Sequence, residues 1–412
     1  MSRRRRWQNV KGTGSRVTEP RERFLAAMAT GAAALAAPFL SGPSKPPPRE
    51  VLVLRLDRIG DVLMSLPALE MLREALPEAK IRLAVGQWSS EVARDAPVDE
   101  VLIWSAPWVG RRDEGASSLS VLWRAARSRR AAKPDLAIDL QGDVRALWLM
   151  SATGAAARVG YANTGSASLL TTVVELDENL NFVEQNRRAV ETAVGRPLPR
   201  GPFRWLDDAR RARGRERLQT ALAESGLAST GPIVGLHPGA GRSIKEWPVE
   251  RFVELGNRLI LEKGAVLVVT GSAAEAAKAG AMTRAIPGAV LDLSGKLDLR
   301  GLAELISALD AFVSGDTSAM HFACALGAPS VAIFGPSDPG RYFSGGDTGF
   351  GAGGRHIVVS PSLWCSPCNL IRRPPVECDA SPAPECLAGI ATSTVFEATV
   401  KILNGPQRGK GH

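Results

Sequence analysis

Much of what would classify this 412-residue chain quickly is missing from it. No run approaches about 20 uninterrupted strongly apolar residues, so it is not a polytopic membrane protein. Nor does it show the compositional bias of a collagen-like, mucin-like or wholly disordered chain. Cysteines number five, and a chain this long can bury one or two cores without disulfide help. Internal repeats are not evident. The first glycine loop lacks Gly-x-Gly-x-x-Gly, the mid-chain loop lacks the Walker Gly-Lys-Ser/Thr, and no obvious Asp-x-Asp metal motif follows a strand. What is present is ordinary: 45% apolar and 23% charged residues, the profile of a soluble globular protein, at a length that suggests two domains.

The net charge is +9, from 51 Lys+Arg against 42 Asp+Glu, and it is not evenly spread. Residues 1–50 hold ten Lys/Arg against three acids, which leaves 41 against 39 for the remainder. A nearly neutral body argues against a nucleic-acid footprint. The leading segment, 1–49, joins the cluster Arg3–Arg6 to an Ala-rich run, Phe24–Leu40, and then a Pro-rich linker. Its order imitates a signal or anchor. Three readings stand: a disordered or partly helical basic tail, a helix lying on an anionic membrane surface, or a true signal or transmembrane anchor; an overextended start would give the same pattern.

From Val51 short apolar runs alternate with helical patterns. Strands are expected at 51–54, 81–85, 101–104 and 136–140, with helices near 61–76, 88–96, 117–132 and 143–153. The stretch 196–202, rich in Pro and Arg, reads as a break between domains 50–200 and 201–404. A second series follows, with strands near 233–236, 265–270, 290–293, 311–313 and 330–334. The pattern predicts an α/β protein of two doubly wound, Rossmann-like domains facing across a cleft, with the chemistry in the loops at the carboxyl ends of the strands.

Three such loops carry it. In Arg55-Leu56-Asp57-Arg58-Ile59-Gly60-Asp61, Gly60 permits close backbone approach and Asp61 falls near a helix start, where it is either a cap or a cleft-facing carboxylate. In His237–Pro248, Gly239 and Gly241 expose backbone N–H groups while Arg242 and Lys245 add positive charge, a pocket suited to phosphates. In Ser314–His321, Asp316 or Thr317 caps a helix whose free N–H groups face an anion, Ser318 opens that helix, and His321 lies one turn on. Glu275 and the Asp139-Leu140-Gln141-Gly142 turn lie at the same sheet edges, as helix-start polar groups or as ligands to hydroxyls.

As a set these loops resemble the family 9 glycosyltransferases, the heptosyltransferases of lipopolysaccharide core assembly. The resemblance runs from Val51 to about Val400. It rests on Gly60-Asp61 with Leu66-Pro67-Ala68-Leu69, on Asp139–Gly142, on His237–Ala240 with Lys245 and Trp247-Pro248, and on Asp316-Thr317 with Met320-His321 and Phe334-Gly335-Pro336. It implies a GT-B fold, a final helix at about 394–403 returning to the first domain, and an inverting transfer without a catalytic metal or other cofactor. Asp61 would be the general base. Lys245, helped by Arg242, would neutralise the leaving diphosphate, and Gly239, Glu275, Asp316, Thr317, Ser318 and His321 would hold the donor. Arg58, Gly60 and Gln141 would line the acceptor side.

The implied partners are a nucleotide-sugar donor such as ADP-heptose and a lipid-linked glycan acceptor, met in the cytoplasm or at the inner face of its membrane. The chain departs from the family at Ser318, where Gly is usual, and at Asp57-Arg58, where small hydroxyl residues are usual. These departures bear on donor and acceptor identity. Two alternatives stay open, a different nucleotide sugar and a silent sugar-nucleotide-binding protein. Cys365, Cys368, Cys378 and Cys386 allow a structural zinc, free thiols or disulfides, while Cys324 reads as a core residue.

Overall fold

The structure is a computed structural model that describes residues 47–109, 116–129, 133–203, 205, 208–228, 231–346, 350–351, 354–371, 378 and 383–405. The basic segment before residue 47 lies outside them. The chain divides into two compact units at Gly201/Pro202.

The first unit begins with β1 (Glu50–Leu54), α1 (Ile59–Ala75), β2 (Lys80–Val85), α2 (Ser90–Ala93) and β3 (Glu100–Ile103). It continues through α3 (Leu119–Ser128), β4 (Leu136–Asp139), α4 (Val144–Ala152), β5 (Ala157–Gly160), β6 (Thr172–Val173) and α5 (Phe182–Val194). The strands form one parallel sheet in the order β3-β2-β1-β4-β5-β6. In β1, Val51 to Leu54 are all buried, as a strand covered on both faces requires. Helix α1 is apolar nearly all round and sits deep in the unit, with Pro67 in its interior. The buried Asn186 of α5 donates to the Met64 carbonyl of α1 (3.0 Å). Helix α5 itself starts at an Asn181 cap and stops at Gly195, whose φ of +78° suits glycine.

The second unit repeats the plan. It contains α6 (Asp208–Glu224), β7 (Ile233–His237), α7 (Val249–Lys263), β8 (Val266–Val269), α8 (Ala276–Ala285), β9 (Val290–Asp292), α9 (Leu299–Ala308) and β10 (Ala311–Gly315). Then come α10 (Ser318–Ala325), β11 (Ser330–Ile333), α11 (Pro339–Tyr342), β12 (His356–Val359), α12 (Glu385–Ala388) and α13 (Thr392–Leu403). Its parallel sheet runs β12-β11-β10-β7-β8-β9. Counted from each unit's first strand, both sheets have the same order, 3-2-1-4-5-6, so the topology is duplicated although the sequence shows no repeat. The core beneath β7 and β10 includes Trp247 against Phe252, edge to face at 5.0 Å. The Trp247 indole N–H donates to the Ile390 carbonyl (3.2 Å), and α13 packs on α7 and on β10, β11 and β12.

In a doubly wound sheet the chain leaves the two central strands in opposite directions, and the gap that opens at their carboxyl ends is where a ligand fits. Here those strands are β1 and β4 in one unit, β7 and β10 in the other. The three loops and the Asp139–Gly142 turn singled out in the sequence follow these four strands, and Glu275 follows the neighbouring β8.

Candidate active site

In the first unit Asp61 does not take the N-cap position. Arg58 is the N-cap of α1, and Asp61 sits three residues in, its Oδ2 accepting the Arg58 backbone N–H (3.3 Å). Asp61 is therefore both a cap and a partly exposed carboxylate. Beneath it lies Arg55, 2% exposed, a residue the sequence reading gave no role. Its Nη2 is 3.5 Å from Asp61 Oδ1 and its Nη1 is 3.4 Å from Asp57 Oδ2. Gln141 donates from Nε2 to Asp57 Oδ1, so the loops after β1 and β4 are tied together. Gly60 is buried at the start of α1, and the exposed Arg58 guanidinium donates to the Val109 carbonyl (3.0 Å).

Asp139 ends β4 wholly buried and accepts the Gly142 N–H at 2.5 Å. Burial first, and the nearby Asp57 carboxylate second, push its carboxyl up to about 8, against the opposing Gly142 N–H and Arg55. It is a buried acid that shapes the turn carrying Gln141.

In the second unit the loops after β7 and β10 meet through an ion pair. Lys245, at the end of the 3-10 turn Ser243–Lys245, puts Nζ 2.6 Å from Asp316 Oδ2. Asp316 is 4% exposed. Burial acts to raise its carboxyl, but Lys245, joined by Ser337 and His321, holds it below the usual range. Thr317 is the N-cap of α10, its Oγ1 accepting the Ala319 N–H (3.2 Å). Ser318 follows as the first helical residue, and the buried His321 shares a hydrogen bond between Nδ1 and Ser344 Oγ (3.0 Å). Arg242 is exposed and N-caps the Ser243–Lys245 turn.

A third contact joins the loops after β7 and β8. A Cβ on Gly239 would stand 2.1 Å from Glu275 Oε1, so only glycine lets this backbone approach the carboxylate. Glu275 accepts from the Ser272 N–H (2.7 Å) and is close to the buried His237, whose Nδ1 bonds Thr270 Oγ1 (3.0 Å). Burial acts to raise the Glu275 carboxyl, but the Ser272 N–H and His237 together hold it below the usual range. The structure thus gathers Gly239 with Glu275, and Lys245 with Asp316, Thr317 and His321.

Against a scan of family models, residues 122–373 match glycosyltransferase family 9 (heptosyltransferase), more than half of the chain. The chain belongs to that family. This glycosyltransferase is 28% identical over 331 residues to lipopolysaccharide heptosyltransferase 1 of Pseudomonas aeruginosa, covering 77% of this chain and 85% of the relative. It is 26% identical over 303 residues to lipopolysaccharide heptosyltransferase 2 of Escherichia coli, covering 70% and 84%. Its structure is similar to that of E. coli ADP-heptose lipopolysaccharide heptosyltransferase II, with a TM-score of 0.66 at 22% identity over 86% of this chain and 98% of that one. A family 9 glycosyltransferase from Veillonella parvula also gives 0.66, at 22% identity over 86% and 97%. The fold is the GT-B fold of these enzymes.

The cysteine cluster does not support the zinc expectation. No disulfide joins any of the five cysteines, all of which lie among the described residues. Among the described residues, which include Cys365, Cys368, Cys378 and Cys386, no three or more His, Cys, Asp or Glu are arranged to hold a metal ion. Burial, with the other three thiols adding, pushes Cys386 up to about 12. Cys324 is fully buried in α10, and burial likewise pushes it up to about 12. Among the described residues no helix is long and apolar enough to cross a membrane.

Proposed function

We propose that the chain transfers heptose from ADP-heptose to a lipopolysaccharide-core or related lipid-linked glycan acceptor, with inversion and without a catalytic metal. The observation that carries the reading is the Lys245–Asp316 pair beside the capped N-terminus of α10, at the switch point of the second sheet. A nucleotide sugar reacts by losing a diphosphate, so charge must be met on that group as the bond to the anomeric carbon breaks. Lys245 supplies a cation whose direction Asp316 fixes, and the first N–H groups of α10 supply partial positive charge. Arg242 adds a second cation on the same loop. Together they meet the leaving group without a divalent ion.

On the acceptor side the Asp61 carboxylate takes the proton of the acceptor hydroxyl as its oxygen attacks the anomeric carbon. The carbon–oxygen bond to the diphosphate breaks on the opposite face, and the electron pair leaves with ADP. Gly239 and Glu275 receive the nucleoside side of the donor, Thr317, Ser318 and His321 its sugar and phosphates. Arg58, Gly60 and Gln141 border the acceptor. The basic segment 1–49 holds the enzyme on the anionic cytoplasmic face of the membrane, where a lipid-linked acceptor is found.

Asp61→Asn tests the reading. It should lower transfer by about 10²–10⁴-fold, the worth of a positioned base, while ADP binding is retained. Unchanged transfer overturns Asp61 as the base. A thermal-shift panel of nucleotide sugars tests the donor: stabilisation by ADP-heptose supports the reading, and stabilisation by UDP or GDP sugars alone sinks it. Deleting residues 1–48 should weaken sedimentation with anionic vesicles and leave turnover on a soluble acceptor intact. Equal sedimentation removes the membrane role.

A further inference from the structure

Arg55 is a buried cation at the centre of the first unit's switch point, and nothing in the proposed chemistry yet uses it. It follows β1 directly, so its backbone is fixed by the sheet, its own N–H donating to the Ala84 carbonyl (2.9 Å). Its guanidinium is engaged on every side. Nε donates to the Asp61 backbone carbonyl (3.2 Å), Nη2 faces Asp61 Oδ1 (3.5 Å), Nη1 faces Asp57 Oδ2 (3.4 Å), and Nη1 also donates to the Leu140 carbonyl.

These partners are themselves held. The Asp57 carboxylate accepts from Gln141 Nε2, and the Asp57 carbonyl accepts the Trp88 indole N–H (2.7 Å). The Leu140 carbonyl sits in the turn that Asp139 fixes through Gly142. Arg55 therefore joins the carboxyl ends of β1 and β4 and grips Asp61 twice, at its main chain and at its side chain.

A guanidinium suits this task. It is planar, carries five donors in a fixed fork and does not lose its proton in proteins, so its own charge is independent of pH. A carboxylate in the first turn of a helix otherwise explores several side-chain rotamers. A proton acceptor must stand within hydrogen-bond reach of the hydroxyl it serves, and a misplacement of about 1 Å costs about 10²-fold in rate. Each carboxylate oxygen has two acceptor sites, so Asp61 can be held by Arg55 and by the Arg58 N–H and still accept a proton.

We propose that Arg55 is the positioning residue of the acceptor side, setting the orientation of the Asp61 carboxylate, with Asp57 and the Leu140 carbonyl fixing Arg55 in turn. The proposal rests on the reading of Asp61 as the general base.

The test compares Arg55→Met, Arg55→Lys, Asp61→Asn and the double variant Arg55→Met/Asp61→Asn in the full-length protein. Turnover is read as ADP release from ADP-heptose with heptose-free lipopolysaccharide, and ADP binding by calorimetry. Arg55→Met should lower kcat by about 10²-fold, with the KM for ADP-heptose and the affinity for ADP within about twofold of wild type. Lys reaches one partner but not all four, so Arg55→Lys should recover part of the loss and not the whole. The double variant should be no slower than Asp61→Asn alone, because a positioned group that is gone cannot be misplaced.

A folded Arg55→Met or Arg55→Lys enzyme with wild-type kcat overturns the proposal. So does a double variant whose losses multiply, or an Arg55→Met enzyme that loses ADP affinity in step with kcat. If Asp61→Asn itself keeps wild-type turnover, the base reading has failed, and that result is separate from any Arg55 gives.

Discussion

At the scale of single residues the proposed donor site rests on one ion pair and one missing Cβ. Asp316 is buried, and Lys245 is its cation at 2.6 Å. Removing one partner of a buried pair leaves an uncompensated charge, which costs about 3–5 kcal/mol. Lys245 is partly exposed, so Lys245→Gln should fall at the low end of that range in a urea titration at pH 7. Its kcat should fall about 10²–10³-fold, the loss expected when one group stabilising a developing anion is removed. The pH dependence follows from the same pair. Because Lys245 holds Asp316 below its ordinary 3.8, the pair contributes stability above that value, lost as pH falls through the lower folded one. Lys245→Gln should show less of this acid loss, and identical acid limbs for both proteins would refute the coupling. Gly239→Ala drives a Cβ into the Glu275 carboxylate, which must shift from its place beside Ser272 and His237. ADP affinity should drop about tenfold, roughly 1.4 kcal/mol, with a small change in melting temperature. Unchanged affinity would place the nucleoside elsewhere.

At the scale of elements the burial of Asp139 at the end of β4 gives a second, opposite pH signature. Its folded value of about 8 lies above the ordinary 3.8. A carboxyl raised in this way contributes stability that is fully present below 3.8, is lost progressively as pH rises from there, and is gone above about 8. Asp139→Asn keeps the shape and cannot ionise, so its melting temperature should fall less than wild type between pH 5 and pH 8, with the two curves parallel above that; curves parallel throughout would mean that Asp139 does not titrate there. Such a group also shows where the sequence was readable. The strands β1, β7, β8 and β10 are built round short apolar runs and were expected within one or two residues. The strands β5 and β12 and helix α5 were not expected. In β5 a charged residue, Arg158, is buried and spends its donors on the Leu169 and Ala155 carbonyls. Pattern reading counts such a residue as solvated, because its partners are distant or irregular in sequence. Arg55 was passed over for the same reason. The loop residues Asp61, Lys245, Asp316 and His321 were legible because glycines and cap residues mark the ends of strands, whereas the bond from Gln141 to Asp57 needs the fold to join residues 84 positions apart.

At the scale of the whole molecule each unit carries its own switch point, and the residues at the two differ in kind. The first unit presents carboxylates around a buried guanidinium, with Asp57, Asp61 and Asp139 near Arg55. The second presents Lys245 beside a capped helix start, with Arg242 on the same loop as Lys245 and Glu275 against a glycine. A negatively charged nucleotide should prefer the second, since anions are favoured at helix N-termini and beside cations and disfavoured beside carboxylates. Hydrogen exchange on the full-length protein separates the two. Saturating ADP should slow exchange in peptides covering 237–246, 271–276 and 316–321, and leave 55–61 and 139–142 unchanged. At 100 times its dissociation constant ADP should also stabilise the fold by about 2.7 kcal/mol. Adding heptose-free lipopolysaccharide should then slow exchange in 55–61 and 139–142. ADP protection that appeared first in 55–61 would reverse the assignment of donor and acceptor units, because a bound diphosphate cannot gain from Asp57 and Asp61 what it gains from Lys245.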